Sequence, residues 1–223
     1  GFDGIDINMG CPDRSIEKQG AGAAMIKNPT LALDIIAAAK WGVKASGRDI
    51  PVSVKTRVGY NSVQIEEWIP LILTAGVAAL TVHARTRKEM SKVPANWDLL
   101  KRVVELRNEL SPETLIIGNG DVISMKDGKE KALEAGVDGV MVSRALFGNP
   151  WFFDESREMS ATLPQRPSKL KRLLNKIFPF IDIETKRTLP TSAKRPIEIE
   201  ERLSVMLEHT RLFEEKLGDI KSF

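Results

Sequence analysis

The sequence predicts an α/β fold: a partial (β/α)8 barrel of about five C-terminal βα units, followed by a small all-helical domain. Three observations carry this prediction. Short β-branched runs alternate with helical stretches from residue 1 to about residue 150, the pattern of a parallel sheet with right-handed crossovers. Polar residues and glycines gather where each run ends, and in a barrel the carboxyl ends of the strands form the functional face. An open doubly wound sheet would collect its ligand groups at one switch point instead. After Trp151 the rhythm stops, and Pro164, Pro167, Pro179, Pro190 and Pro196 punctuate a basic stretch.

The elements follow in order. A strand over Gly4–Asn8 runs into Met9-Gly10-Cys11-Pro12, which carries the single cysteine of the 223 residues. Pro12 disfavours helical geometry at the residue before it, so Cys11 is expected on an extended loop just past the strand. A helix over Leu31–Ala45 leads to a strand over Val52–Thr56, with Lys55 and Arg57 at its end. A helix over Ile65–Thr74 leads to a strand over Ala79–His83, followed by Arg85. A helix over Trp97–Leu110 precedes the strand Leu115–Gly118, then Asn119 and Asp121. The last unit is a helix over Lys126–Ala135 and a strand over Gly139–Ser143, ending at Arg144. Ala75-Gly76-Val77 and Ala135-Gly136-Val137-Asp138 read as matching helix-to-strand corners, with glycine as the left-handed cap. Two amphipathic helices are expected beyond, near Leu170–Phe178 and Glu198–Leu217. The boundary is placed near Gln165, giving a catalytic domain over 1–164 and a helical domain over 165–223. A full barrel has eight strands, so about three N-terminal βα units are expected to lie outside this chain, and the helical domain is expected to be cut short. By itself the chain is expected to be inactive.

Composition bounds the possibilities. No apolar run approaches the roughly 18 residues of a membrane span, and no signal-peptide pattern opens the chain. One cysteine excludes an internal disulfide framework, and neither histidine belongs to a metal-ligand spacing, so no metal is expected. A cytoplasmic monomer is the expectation. The net charge is +3 but unevenly spread: residues 1–165 carry −1, residues 166–195 carry +7 and residues 196–223 carry −3. Such segregation suits a neutral body with a basic appendage for a polyanion; charge alone fits a solvated helix face equally.

Several strand ends carry chemistry. Gly118-Asn119-Gly120-Asp121 sits between a strand and a helix, where glycines let backbone N–H groups approach an anion. Arg144 follows the next strand, and its planar fork can pair with phosphate. In barrels, the loops after the seventh and eighth strands often hold one. Lys55 puts an ammonium at the barrel mouth, where an anionic or carbonyl-bearing ligand would offset its burial. His83 lies beside Arg85 on the same rim, whereas His209 sits in a charged helix and reads as solvated. An ordinary thiol is mostly protonated at neutral pH, the state a general acid requires; an inert buried thiol is the plainer reading of Cys11.

Taken together, Ile7-Asn8-Met9-Gly10-Cys11-Pro12, Gly20-Ala21-Gly22-Ala23, Val54-Lys55-Thr56-Arg57, His83-Ala84-Arg85-Thr86-Arg87, Gly118-Asn119-Gly120-Asp121 and Arg144-Ala145-Leu146-Phe147-Gly148-Asn149-Pro150-Trp151 resemble the tRNA-dihydrouridine synthases. They stand in that family's order and span most of residues 1–155. The resemblance implies an FMN-dependent oxidoreductase that reduces uridine in tRNA to 5,6-dihydrouridine with NADPH. It implies that Cys11 protonates uracil C5, and that the base is first taken out of its stack. It further implies that Lys55, His83, Asn119, Gly120, Asp121, Ser143 and Arg144 hold the cofactor, that Asn8 bonds the flipped uracil and that Arg85 lies on the RNA-facing rim. The helical domain, with its +7 segment, would grip tRNA. Two departures from the family pattern stand inside the chain: Met90–Ala95 lacks the Tyr-Ser-Gly common there, and Ser143 replaces a frequent glycine. The alternatives are an FMN barrel of the dihydroorotate dehydrogenase type, acting on a small metabolite, and a non-catalytic RNA-binding remnant.

Overall fold

The computed structural model describes residues 2–154, 157–158, 195–196 and 199–217. Five parallel strands form one sheet in sequential order: β1 (Ile5–Asn8), β2 (Val52–Arg57), β3 (Ala79–His83), β4 (Leu115–Asn119) and β5 (Gly139–Met141). Helices α2 (Pro29–Ala45), α3 (Ile65–Thr74), α4 (Asp98–Leu110) and α5 (Met125–Ala135) make the crossovers, and α1 (Arg14–Lys18) interrupts the loop after β1. Neighbouring strands follow one another with no return to an earlier edge, which is the winding of a (β/α) barrel. This is the partial barrel the sequence predicts.

The two-residue period of the strands divides the sheet chemically. Val54, Leu80, Val82 and Ile116 point to the helices and are fully buried with Ile69, Ile72, Leu73, Leu100 and Val103. The opposite face carries Asn8, Lys55, Arg57, His83 and Asn119. Register brings these level: Asn8 pairs with Lys55, and Arg57, His83, Asn119 and Met141 form one lateral row of Cα partners.

Local chemistry explains two boundaries. α2 begins at Pro29, two residues before the expected Leu31, because Asn28 caps it by accepting from Leu31 N at 3.3 Å and Pro29 occupies the first helical position, which suits proline. β5 stops at Met141 rather than Ser143, since a 3-10 turn over Arg144–Leu146 takes over. Gly136 caps α5 at φ 72°, the left-handed corner expected there.

The chain divides into two compact units, residues 1–148 and 149–223. In the second unit, β6 (Arg157–Glu158) pairs in parallel with β7 (Arg195–Pro196), and α6 spans Ile199–Leu217. Near the start of that unit the rings of Phe152 and Phe153 meet edge to face at 5.2 Å. The helix expected at Leu170–Phe178, and the basic stretch up to residue 194, lie outside the described residues. Among the described residues, no helix is long and apolar enough to cross a membrane, and no group of three or more His, Cys, Asp or Glu is gathered as a metal site.

Candidate active site at the strand carboxyl ends

The loop after β1 is shaped by its own side chains. Asn8 Oδ1 accepts from the N–H groups of Gly10 (3.0 Å) and Cys11 (3.1 Å), an Asx-type turn. Its carboxamide oxygen is therefore spent on the loop, and Nδ2 remains the group it can offer a ligand. Thr56 Oγ1 donates to Met9 O at 3.2 Å, and Trp68 Nε1 donates to Thr56 Oγ1 at 2.9 Å. Gly22, at φ 60°, passes so near that a Cβ there would lie 2.6 Å from Cys11 O. Cys11 itself is half-buried, with its thiol free.

Two cations on β2 face this loop. The Arg57 side chain, only 5% exposed, donates from Nε to Gly10 O at 2.7 Å and from Nη1 to Thr86 O (3.1 Å) and Met90 O (3.3 Å). Burial, helped by repulsion from Arg85, lowers its proton affinity to about 10. Lys55 donates to Asn119 Oδ1 at 3.2 Å. Burial holds its ammonium below the usual lysine value, and Arg57 adds repulsion; Asp6 and Cys11 oppose the shift. Cys11 follows Gly10, whose carbonyl Arg57 holds, and Asn8 at the start of the same loop pairs with Lys55. Sequence reasoning placed Arg57 at the strand end without giving it a role, because its three carbonyl partners come from loops 29 to 47 residues away.

A second network starts at His83. Arg85 Nη1 lies 3.2 Å from His83 Nε2; arginine only donates, so Nε2 accepts and the ring proton sits on Nδ1. Burial and the charges of Arg57, Lys55 and Arg85 push the imidazole down to about 3, leaving it neutral at physiological pH. Arg85 is 3% exposed and gives its remaining donors to Asp121 Oδ2 (2.5 Å) and Val93 O (2.6 Å). Expected on the rim, its guanidinium instead lies inside the structure. Asp121 also accepts from Ala95 N at 2.9 Å and from Arg144 Nη2 at 2.8 Å. Burial raises its proton affinity, but Arg85, the Ala95 N–H and Arg144 outweigh that and hold the carboxyl below its usual value.

Asn119 extends the Lys55 network to the end of β5. It is 4% exposed; Oδ1 takes the Lys55 bond, while Nδ2 donates to Met141 O (2.8 Å) and Ser143 Oγ (3.2 Å). Gly120 follows at φ 131°, where a Cβ would stand 2.7 Å from Ala95 Cβ and 3.3 Å from His83, so only glycine fits. Arg144 is the exposed member, with 61% of its side chain open. The strand ends therefore form a rim in two networks: Lys55 with Asn119 and Ser143, and His83 with Asp121 and Arg144 through the buried Arg85. Asn8 and Cys11 are tied to it through Arg57 and the β1–β2 register.

A hollow of about 740 Å³ opens at the other end of the strands, lined in part by Lys40, Lys44, Arg48, Glu113 and Thr114. Two of its polar groups serve the fold: Lys40 Nζ caps α3 by donating to Ala75 O (2.8 Å) and Gly76 O (2.9 Å), and Thr114 Oγ1 donates to Val77 O (2.8 Å). The amino-end face of such a fold carries stability rather than chemistry.

Curated relatives include a probable tRNA-dihydrouridine synthase of Staphylococcus aureus, 45% identical over 160 residues, which is 71% of this chain and 47% of that protein. Another is a probable tRNA-dihydrouridine synthase 2 of Bacillus subtilis, 44% identical over 163 residues, 72% of this chain and 48% of that protein. The chain spans about half the length of the curated relatives it matches. Among solved structures, a DHODH of Eimeria tenella crystallised with ferulenol is similar at 16% identity and a TM-score of 0.46, over 65% of this chain and 45% of that one. The family model described as "Dihydrouridine synthase (Dus)" matches residues 1–222, and the chain belongs to the dihydrouridine synthase family.

Proposed function

We propose that this protein reduces uridine in tRNA to 5,6-dihydrouridine, with FMN as its flavin and NADPH as reductant, and that Cys11 is the proton donor to C5. The observation that carries the reading is the geometry of the thiol loop in a dihydrouridine synthase chain: Arg57 donates to Gly10 O at 2.7 Å, next to the half-buried Cys11, and Asn8, where that loop begins, pairs with Lys55. We take it to act as a monomer in the cytoplasm, where tRNA and NADPH occur.

The residues present fit a flavin mononucleotide. Lys55 has a single bond of 3.2 Å and a lowered proton affinity, so carbonyl oxygens of a ring system would offset its burial. His83 brings a neutral Nδ1–H. Arg144 spends one donor on Asp121 and keeps the rest of its fork for a phosphate, with Ser143 Oγ beside it. A carboxylate repels phosphate, so Asp121 serves that end by aiming Arg144. Bound in its reduced form, FMN supplies the hydride that uracil C6 accepts.

The remaining work falls to side chains. Cys11 Sγ releases its proton to C5, so that one hydride and one proton saturate the C5–C6 bond. Solvent reprotonates the thiolate left behind. Asn8 offers Nδ2 to a uracil carbonyl. Arg85 supports the site from within by holding Asp121 and the Val93 loop. Saturation removes the planarity of the base, so the uridine must first leave its stack. The basic segment 166–195 would grip tRNA phosphates, making binding steeply salt-dependent.

Full-length protein incubated with FMN, NADPH and tRNA lacking dihydrouridine tests the reading by nucleoside mass spectrometry. Dihydrouridine is the expected product. Untouched tRNA, with reduction of a free pyrimidine instead, would support the small-metabolite alternative.

A further inference from the structure

We propose that Glu17 and Arg87 are positioning residues for Cys11: their ion pair, backed by Tyr60, pins the loop that presents the thiol. The inference rests on the reading of Cys11 as the proton donor.

The loop between β1 and α2 is anchored at its base. Gly10 O accepts from Arg57, and Ala23 N donates to Cys11 O at 2.9 Å. Between these anchors it projects α1, a five-residue helix with no buried residue. A helix that short does not hold itself in water, and the bonds of Asp13, its cap, stay within the same segment. Within the loop, Ala21 N donates to Ile16 O at 3.3 Å; Glu17 ties the helix to the loops that follow β2 and β3. That side chain is 9% exposed and meets Arg87, which donates from Nε to both carboxylate oxygens (2.9 and 2.8 Å) and from Nη2 to Oε2.

Arg87 is itself well rooted. Its N–H donates to Gly59 O and that of Lys88 to Tyr60 O, both at 2.9 Å. The Arg87 guanidinium lies 5.4 Å from the centre of the Tyr60 ring, and Lys27 Nζ stands 4.5 Å from the same centre. Cation–π contact of this kind favours a guanidinium held over a ring. Burial raises the proton affinity of Glu17, but the bonds from Arg87 and Tyr60 outweigh it and hold the carboxyl below its usual value. Glu17 thus joins the thiol-bearing loop to the loops that follow β2 and β3. A proton donor needs such placement, since a displacement of about 1 Å can cost on the order of 100-fold in rate.

The test uses the full-length protein and the isosteric Glu17→Gln beside Arg87→Ala, with circular dichroism as a check on folding. Carboxamidomethylation of Cys11 by iodoacetamide, followed by peptide mass spectrometry, reads the loop directly. Each variant should speed alkylation several-fold. The double variant should add little to either single change, because coupled residues are not additive. Dihydrouridine formation should fall about 10- to 100-fold in kcat, with FMN content and KM for NADPH unchanged. Alkylation rates equal to wild type, or additive effects in the double variant, would overturn the proposal. If alkylation responds as expected and the wild-type protein makes no dihydrouridine, the latch stands and the catalytic reading fails.

Discussion

The guanidinium of Arg57 donates from Nε to the carbonyl of Gly10 at 2.7 Å, fixing from β2 the backbone one residue ahead of the thiol. The same side chain satisfies Thr86 O and Met90 O, so one buried cation serves the loops after β1 and β3. Arg57→Ala leaves those carbonyls without their donor and should cost about 1–3 kcal/mol for each that water cannot reach. Arg57→Lys keeps the charge but not the fork, so it should recover only part of that loss. Urea denaturation of the three proteins measures the difference.

Asp121 and Arg144 should separate in their effects although they are bonded to each other. Asp121→Ala strips the 3%-exposed Arg85 of its counter-charge, which should destabilise the fold by about 3–5 kcal/mol. Arg144 is largely exposed, and Arg144→Ala should cost less than about 1 kcal/mol. That variant should instead lose FMN during gel filtration, read from the flavin absorbance. Equal melting temperatures for the two variants would contradict the arrangement.

Histidine 83 gives the structure a directed pH dependence. Its imidazole titrates near 3 in the fold, against 6.5 as the ordinary value. Between those limits the unfolded chain binds the extra proton, so stability rises with pH. The fold should therefore lose stability as pH falls from 6.5 towards 3, by on the order of 1 kcal/mol per pH unit. Asp121, also held low, adds loss in the same direction below about 4. Denaturant midpoints from pH 7.5 to 5 should decline in the wild type and flatten in His83→Gln. An NMR titration should find the His83 ring neutral throughout that range.

Gly22 and Gly20 share a left-handed backbone but not an environment. At Gly22, φ is 60° and an added Cβ would stand 2.6 Å from Cys11 O; at Gly20, φ is 75° with nothing within 4 Å. Each alanine substitution should cost about 1–2 kcal/mol of backbone strain. Only Gly22→Ala should also displace the Cys11 loop and abolish turnover. Parallel activity and melting measurements distinguish strain from displacement.

The order of elements was legible because its signals are local. Alternating periods fixed five strands, and the glycines at 76 and 136 fixed helix ends. Strand-end positions singled out Lys55, His83, Asn119 and Arg144; Lys55 bonds Asn119, and His83 reaches Arg144 through Arg85 and Asp121. Long-range pairing was not legible. Arg85 and Asp121 stand 36 residues apart, and no pattern reveals that one buries itself against the other. Asn8 is expected to bond the flipped uracil; that its oxygen also caps its own loop was not legible, being set by the local path of Gly10 and Cys11. Helix α1 and Glu17 also escaped notice, since five residues are too few to show a helical period.

The most direct measurement compares wild-type and Cys11→Ala protein in a single turnover: the full-length enzyme, loaded with FMN and reduced by NADPH, is mixed with tRNA lacking dihydrouridine and sampled over time. General acid catalysis typically contributes about 10²- to 10⁴-fold. Dihydrouridine should therefore appear at least about 100-fold more slowly without the thiol, while flavin content and NADPH-driven flavin reduction stay at wild-type levels. Equal rates of dihydrouridine formation in the two proteins would contradict the role assigned to Cys11.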